Sequence, residues 1–351
     1  MATSLLQQLR SLVVVDVDCM DPDVAKRHTT QEEQFHDMTS NQALVLTETI
    51  KPENEGLIKE AIGYVQSKNL DQDPDTFKMD VLDTITVLLG KRVLPYLKGS
   101  VHAQTSPSVA YDTEKTIAHA KKLVALFAEH GIPKERVCIK IPSTPESILA
   151  CQYLQKIGIQ TLATTLFSLP QALAASQAGC KYVAPYFNGI IPQHCIVVSM
   201  LLNKRDRAPR ALSKVNVEGV CQSCDRTSMS QVILSIVAAF REIKSSTLAL
   251  PASIVTPNEV VALASFQPHH ITISGGVLDQ LAALPAIREI EPTPCTTDIA
   301  SFLGKNYLAD GGQLLREAIT TDVETQRKVT DALAIFDDCE RKTKEFLDTV
   351  L

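Results

Sequence analysis

The stretch Arg136-Val-Cys-Ile-Lys-Ile-Pro142 places one charged side chain inside an apolar, strand-like run. Alternation with a period of two puts Val137, Ile139 and Ile141 on one face and Lys140 on the other. A lysine buried in this way keeps its charge only at a high desolvation cost, so it tends to be paired or neutral. A neutral amine is a nucleophile that forms a Schiff base with a carbonyl compound. The alternative is a lysine that extends from a strand edge into solvent.

Short apolar runs of this kind alternate with helical stretches along the whole chain. The Thr144-Pro145 and Thr256-Pro-Asn-Glu259 stretches are typical helix starts, and Ser168-Leu-Pro-Gln171 is predicted to form a capping box. The eight strand candidates are Leu12–Asp18, Gln42–Leu46, Ser100–Gln104, Val137–Ile141, Thr161–Leu166, Tyr182–Phe187, Thr247–Ala252 and Ile271–Ser274.

Eight strands that alternate with helices predict an α/β fold, a single (β/α)8 TIM barrel spanning residues 1–351. Two doubly wound domains are the alternative, but no glycine-rich dinucleotide fingerprint follows the first strand. Residues 69–98 are predicted as an additional helix, and residues 193–227 as a second addition to a minimal barrel. A helical extension over about residues 310–351 is predicted to cover the barrel mouth.

Composition narrows the possible partners and locations. The net charge of −6 gives no field that favours nucleic acid or anionic lipid, and no apolar run is long enough to span a bilayer. The N-terminus lacks the pattern of a signal peptide and resembles an amphipathic helix, so we expect a cytoplasmic protein. The nine scattered cysteines suit reduced core thiols better than a disulfide framework.

Two candidate metal motifs are weak. Cys221-Gln-Ser-Cys224, with His194 and Cys195 upstream, is a lone C-x-x-C without the second pair that a zinc site needs. The adjacent His269 and His270 begin a strand, where neighbouring side chains point to opposite faces, so together they make a poor chelate. We therefore expect no metal and no organic cofactor.

Polar residues occur where the predicted strands end, which is where a barrel places its active site. A Schiff-base aldolase needs a lysine amine, a group that moves protons through water, and hydrogen bonds for substrate hydroxyls. The strand-end candidates are Asp16, Asn41, Gln104, Lys140, Thr164, Tyr186 and Ser274. Asp18 lies on the same face as Asp16.

Several segments resemble the transaldolase family. Residues 136–148 and 158–172 are similar to its central region, Asp37-Met-Thr-Ser-Asn-Gln-Ala-Leu44 to its second-strand motif, and Val13–Asp18 to its first strand. The C-terminal helix ending Glu345-Phe-Leu-Asp-Thr-Val-Leu351 is similar to the tails of that family.

The resemblance implies a role for each matching residue. Lys140 corresponds to the Schiff-base lysine, Asp16 and Asn41 to groups that hold substrate hydroxyls and aid proton transfer, and Thr164 to the residue that orients the catalytic water. Further substrate contacts are expected from Thr39, Asn188, Ser253 and Ser274.

Two departures from the family pattern bear on the reaction. Gln104 stands where transaldolases carry a proton-shuttling glutamate, and an amide cannot act as a base. The fructose-6-phosphate aldolase subgroup carries glutamine there and a tyrosine on strand six, which makes Tyr186 the expected acid/base and Gln104 its positioning partner. The family's phosphate-binding arginines correspond to Gly189 and Val255, so a bidentate phosphate clamp is lost. Either the substrate lacks a phosphate group, or the basic residues at 204–210 extend into the active site and bind the phosphate in place of these arginines.

The sequence thus favours a class I aldolase that joins or cleaves a dihydroxyacetone- or hydroxyacetone-like ketone and an aldehyde. A true transaldolase that transfers a dihydroxyacetone unit between sugar phosphates is the first alternative. A non-catalytic binding protein on the same scaffold is the second. The partners expected are small molecules, and relatives in the family form homo-oligomers.

Overall fold

The run around Lys140 forms a strand whose six residues are all buried. This is seen in the computed structural model of the protein, which describes residues 3–68, 73–188 and 228–351. Val137, Ile139 and Ile141 pack in the main core beneath the helices, whereas Cys138 belongs to a second apolar cluster. The two-faced arrangement predicted from the alternation is therefore confirmed.

The described residues form seven strands, and every pairing between these strands is parallel. Five lie side by side in the order β2-β3-β4-β5-β6, and β1 pairs with β7. The strands are β1 (Val14–Asp18), β2 (Val101–Gln104), β3 (Val137–Pro142), β4 (Gln160–Leu166), β5 (Tyr182–Pro185), β6 (Leu248–Ala249) and β7 (His270–Ser274).

One strand prediction is wrong. Gln42–Leu46 lies in a helix, Gln42–Thr49, and not in a strand. Asn41 begins this helix, because its side-chain oxygen accepts hydrogen bonds from two backbone N–H groups of the first turn. A short apolar run does not by itself distinguish a buried strand from a buried helix, so the capping residue decides.

The second strand position of the barrel is taken by the segment around Met38, just upstream of this helix. Met38 forms parallel bridges to both β1 and β2. We call each strand position of the barrel a stave, and this segment the Met38 stave. The other gap is closed by backbone hydrogen bonds between the segments of β6 and β7. His269 donates to the carbonyl of Ala249 and Thr272 to that of Pro251, each at 3.2 Å. Eight parallel staves thus surround one interior, as the barrel prediction requires.

Helices surround this barrel and alternate with its strands. The predicted N-terminal helix and the additional helix before β2 are both present. The helices are α1 (Leu5–Arg10), α2 (Pro22–Arg27), α3 (Gln42–Thr49), α4 (Glu55–Lys68), α5 (Pro74–Val93), α6 (Thr113–Glu129), α7 (Pro145–Lys156), α8 (Leu169–Gln177), α9 (Ser228–Glu242), α10 (Pro257–Ser265), α11 (Gly275–Ala283), α12 (Ala309–Thr321) and α13 (Val323–Leu347).

Two of the three predicted helix-capping interactions are confirmed. Thr144 caps α7, and Thr256 with Glu259 forms a complete capping box on α10. Ser168 does not cap α8 through its side chain, so that prediction is wrong. The Ser168 hydroxyl donates instead to the side-chain oxygen of Gln171, which also accepts the backbone N–H of Phe167.

The last helix, α13, covers the C-terminal end of the barrel. Phe336 of this helix is 2% exposed and packs in one cluster with Leu162 of β4 and Tyr186. The predicted cover over the barrel mouth is therefore present. No helix within the described ranges is long and apolar enough to cross a membrane.

Candidate active site

A cavity of about 240 Å³ opens at the C-terminal strand ends, beneath α13. The strand ends contribute most of its polar residues, and the loop after β6 together with α11 and α13 contributes most of its apolar wall. The lining residues are Asp18, Asn41, Ala43, Lys140, Tyr186, Ala252, Ser253, Ile254, Val255, Ser274, Gly276, Val277, Gln280, Ile335 and Phe336.

Lys140 lies on the cavity wall with only 2% of its surface exposed. Its amine is 5.7 Å from the centre of the Tyr186 ring. It forms no ion pair with a carboxylate in the part of the chain that the structure describes. Nucleophilic attack on a carbonyl requires the neutral form of such an amine.

The hydroxyl of Tyr186 lies 2.7 Å from the hydroxyl of Thr164. Both residues are buried, and the Tyr186 ring makes an edge-to-face contact with Phe167. Thr164 does not line the cavity, so it reaches the reaction space through the tyrosine. This pair can relay a proton beside the lysine, because each hydroxyl is both a donor and an acceptor.

Asp18 is the carboxylate that lines the cavity, at the last residue of β1. The hydroxyl of Thr39 donates to Asp18 at 2.7 Å and lies 2.6 Å from the hydroxyl of Thr272. Thr39 therefore fixes the carboxylate without lining the cavity. Asp18 is half-buried and lines the cavity, so a bound substrate can contact its carboxylate.

The structure does not bring Asp16 to the cavity. Its carboxylate is fully buried deeper in the barrel, where it lies 2.9 Å from the ring of His270 and accepts the backbone N–H of Asp37. Burial raises the pKa of Asp16, although His270 opposes this shift. Two residues along a strand correspond to a rise of about 6.6 Å, so Asp18 reaches the level of the cavity and Asp16 does not.

Three of the predicted substrate contacts line the cavity, namely Asn41, Ser253 and Ser274. The Asn41 side-chain oxygen is occupied as the cap of α3, so only its amide nitrogen is available to a substrate. Asn188 lies outside the wall, and its amide donates to the carbonyl of Ser253 and to Glu259. It fastens the loop at Ser253, whose backbone is in the left-handed region with a φ of 61°.

Gln104 lies beside a different, much smaller void of about 10 Å³. Its amide nitrogen donates to the side chain of Gln42 at 2.7 Å, and its side-chain oxygen has no hydrogen-bond partner among the described residues. Such a void is close to the room that one water molecule needs. No hydrogen bond joins Gln104 to Tyr186 in this part of the structure, so the expected positioning role is not seen as a direct contact.

Lys140 is the sole basic residue among the described residues that line the cavity. Val255, at one lost arginine position, is part of an apolar wall with Ile254 and Phe336. The other predicted sites fall outside the described residues: Gly189, the basic cluster at 204–210, and the metal candidates His194, Cys195, Cys221 and Cys224.

Sequence reasoning missed the apolar part of the site. Ile335 and Phe336 lie in an amphipathic helix more than 190 residues after Lys140, and no local pattern connects the two. Asp18 was detectable from the alternation on β1, since it lies on the same face as Asp16 and closer to the strand end.

Comparison with known proteins identifies the family of this chain. A model of the family described as Transaldolase/Fructose-6-phosphate aldolase matches residues 15–338. A protein named Transaldolase from Glaesserella parasuis serovar 5 (strain SH0165) is 32% identical over 288 residues, which is 82% of each chain.

Two further relatives carry similar names. A Transaldolase from Shewanella sp. (strain W3-18-1) is 30% identical and covers 84% of each chain. Transaldolase A from Pasteurella multocida (strain Pm70) is 34% identical over 59% of this chain and 62% of its own length. With a barrel whose interior lysine faces a cavity at the C-terminal strand ends, and with a family match across most of its length, this chain belongs to the transaldolase/fructose-6-phosphate aldolase family of enzymes.

Proposed function

We propose that the protein is a class I aldolase in which Lys140 forms a Schiff base with a dihydroxyacetone- or hydroxyacetone-like ketone. The observation that carries this proposal is the buried amine on the cavity wall, which has no carboxylate partner among the described residues. The amine attacks the ketone carbonyl and water leaves, which produces a protonated imine that withdraws electrons from the adjacent carbon. Loss of a proton there gives an enamine that attacks an aldehyde, and hydrolysis then releases the product and the free lysine.

Two groups beside Lys140 can serve the proton transfers. Tyr186 acts as the acid and base through a water molecule, and Thr164 orients its hydroxyl. Asp18, held by Thr39, binds a hydroxyl of the donor, the role that the family resemblance implied for Asp16. Asn41, Ser253 and Ser274 offer further hydrogen bonds to the substrate. Gln104 acts at most through a water molecule. Its role as a partner of Tyr186 rests only on the sequence resemblance to the fructose-6-phosphate aldolase subgroup.

We further propose that the acceptor aldehyde lacks a phosphate group. The wall around the substrate is rich in apolar side chains, and among its described residues the lysine that must form the imine is the sole cation. A phosphate bound there would lack the paired donors that an arginine provides. This cavity therefore suits a small-molecule ketone and an aldehyde as substrates. We propose that the protein acts in the cytoplasm.

A true transaldolase is the second candidate, because relatives that are 30–32% identical carry that name. The two activities differ in what happens to the enamine when no acceptor is present. An aldolase releases free dihydroxyacetone from fructose 6-phosphate, whereas a transaldolase retains the three-carbon unit on its lysine. Measuring free dihydroxyacetone with and without an acceptor aldehyde distinguishes them.

Borohydride trapping tests the shared chemistry. The protein is reduced in the presence of dihydroxyacetone, hydroxyacetone or fructose 6-phosphate, and the adduct is located by intact mass and peptide mapping. We expect one adduct on Lys140, and none in Lys140→Met, which keeps the side-chain volume but lacks the amine. The ketone that is trapped best reports whether phosphate matters. Absence of any adduct from folded protein would favour the non-catalytic binding protein.

A further inference from the structure

A second polar cluster lies at the opposite end of the barrel interior, below the candidate active site. Asp16 is 2.9 Å from His270, and Asp37 is 2.9 Å from both His36 and His102. Four of these five residues are at most 4% exposed, and they come from β1, the Met38 stave, β2 and β7. Two carboxylates and three imidazoles are thus gathered in a space that the proposed reaction does not use.

Two buried polar atoms in this cluster have no hydrogen-bond partner in the part of the chain that the structure describes. His102 Nδ1 and the Tyr182 hydroxyl are buried and make no hydrogen bond within the described residues. The Tyr182 ring lies 5.1 Å from the His270 ring and 5.7 Å from the His102 ring, so these atoms border the same space. Buried polar atoms are otherwise almost always paired, and such exceptions mark positions where water or an ion binds.

Three side chains have the geometry of a ligand set. One donor atom each from Asp16, His36 and His270 can be chosen so that all three lie within 4.8 Å of one another. Tetrahedral coordination at bond lengths of about 2.0–2.1 Å places ligand atoms about 3.4 Å apart, so the widest separation in this set would shorten by up to about 1.4 Å when an ion binds. Two imidazoles and one carboxylate are donors that zinc and neighbouring divalent transition metals prefer over magnesium or calcium.

The surroundings also resemble those of a metal site. The backbone N–H of Asp37 donates to Asp16, and the carboxylate of Asp37 stands behind His36 and His102. Carboxylates and hydrogen bonds of this kind orient metal ligands in proteins. The His36 side chain is 37% exposed, which leaves a route from solvent.

We propose that Asp16, His36 and His270 bind one divalent transition-metal ion of the zinc type, which stabilises the N-terminal end of the barrel. The ion would connect β1, the Met38 stave and β7. Within the described residues the Met38 stave is joined to β1 and β2 by isolated bridges and backbone hydrogen bonds, and the ion would add a side-chain link from this stave to β1 and β7. The adjacent His269 has no part in the site, as expected from alternation along the strand. The proposal is independent of the Schiff-base chemistry, so either can fail without the other.

The test uses the full chain, freed of metal with EDTA and then titrated with Zn²⁺ and with Co²⁺. We expect one tightly bound ion per chain, visible absorption bands of tetrahedral Co²⁺, and an increase of several degrees in the unfolding temperature with excess Zn²⁺. His36→Gln and His270→Gln should each weaken Zn²⁺ binding by at least about 100-fold, more than the loss of an outer partner typically causes.

His130→Gln is the matched control, because His130 is a half-buried histidine outside the cluster, at the end of α6. It should bind Zn²⁺ as the wild type does. His36 lies at the rim of the cluster, so His36→Gln remains informative even if His270→Gln fails to fold. Absence of stoichiometric binding by the wild type would overturn the proposal. So would unchanged affinity in folded His36→Gln, which would place the ion elsewhere, for example at Cys221 and Cys224.

Discussion

Replacing Tyr186 with phenylalanine removes one hydroxyl and leaves the ring in place. The ring is 3% exposed and packs edge-to-face on Phe167 at 5.7 Å, so its packing should persist. The lost hydroxyl makes a single hydrogen bond of 2.7 Å to Thr164, which is worth about 1 kcal/mol of stability. If the hydroxyl is the acid/base group, kcat should fall by about 10²–10⁴-fold, or about 2.7–5.4 kcal/mol in the barrier.

The catalytic effect should thus clearly exceed the effect on folding. The assay follows C–C bond cleavage by release of the aldehyde, together with thermal unfolding and borohydride trapping of the imine. Trapping on Lys140 should survive in Tyr186→Phe, because the amine is untouched.

Tyr307→Phe is the matched control. Tyr307 is also buried, and its hydroxyl makes one hydrogen bond, at 3.2 Å to the carbonyl of Phe302, away from the cavity. It should lose a similar stability and keep the wild-type rate. A rate for Tyr186→Phe within twofold of the wild type would refute the assignment and make Asp18 the next proton carrier to test.

Three further predictions concern the cavity and the fold. Asp18→Asn should lower kcat/KM at least about 10²-fold while trapping persists; an unchanged value in steady-state kinetics would remove Asp18 from the site. Val255→Arg should lower the KM for a phosphorylated acceptor aldehyde, and equal KM values would mean that one residue does not restore a phosphate site. The third concerns Asp83: burial would raise its pKa, but the charges of His119 and Lys122 outweigh burial and lower it from 3.8. Its stabilisation is complete above pH 3.8 and is lost at lower pH, so the wild type should lose more unfolding free energy than Asp83→Asn on acidification; parallel pH curves would contradict this.

The chain itself determined the pattern of the barrel and the place of its lysine. Alternation within residues 137–142 sorts outward apolar residues from the inward Lys140, because a strand has a fixed two-residue period. Helix starts at Thr144 and Thr256 follow from side-chain hydrogen bonds within a single turn. These features are local, so a sequence is sufficient to predict them.

The tertiary structure alone decided three things. It showed that the second strand position is the segment at Met38 and not residues 42–46. Pairing with β1 and β2 defines this position, and the local sequence does not. It placed Asp18, and not Asp16, at the cavity wall, since the height of a residue along the barrel depends on how the strands are staggered. It also brought His270 to Asp16 across 254 residues, a contact that only closure of the barrel creates.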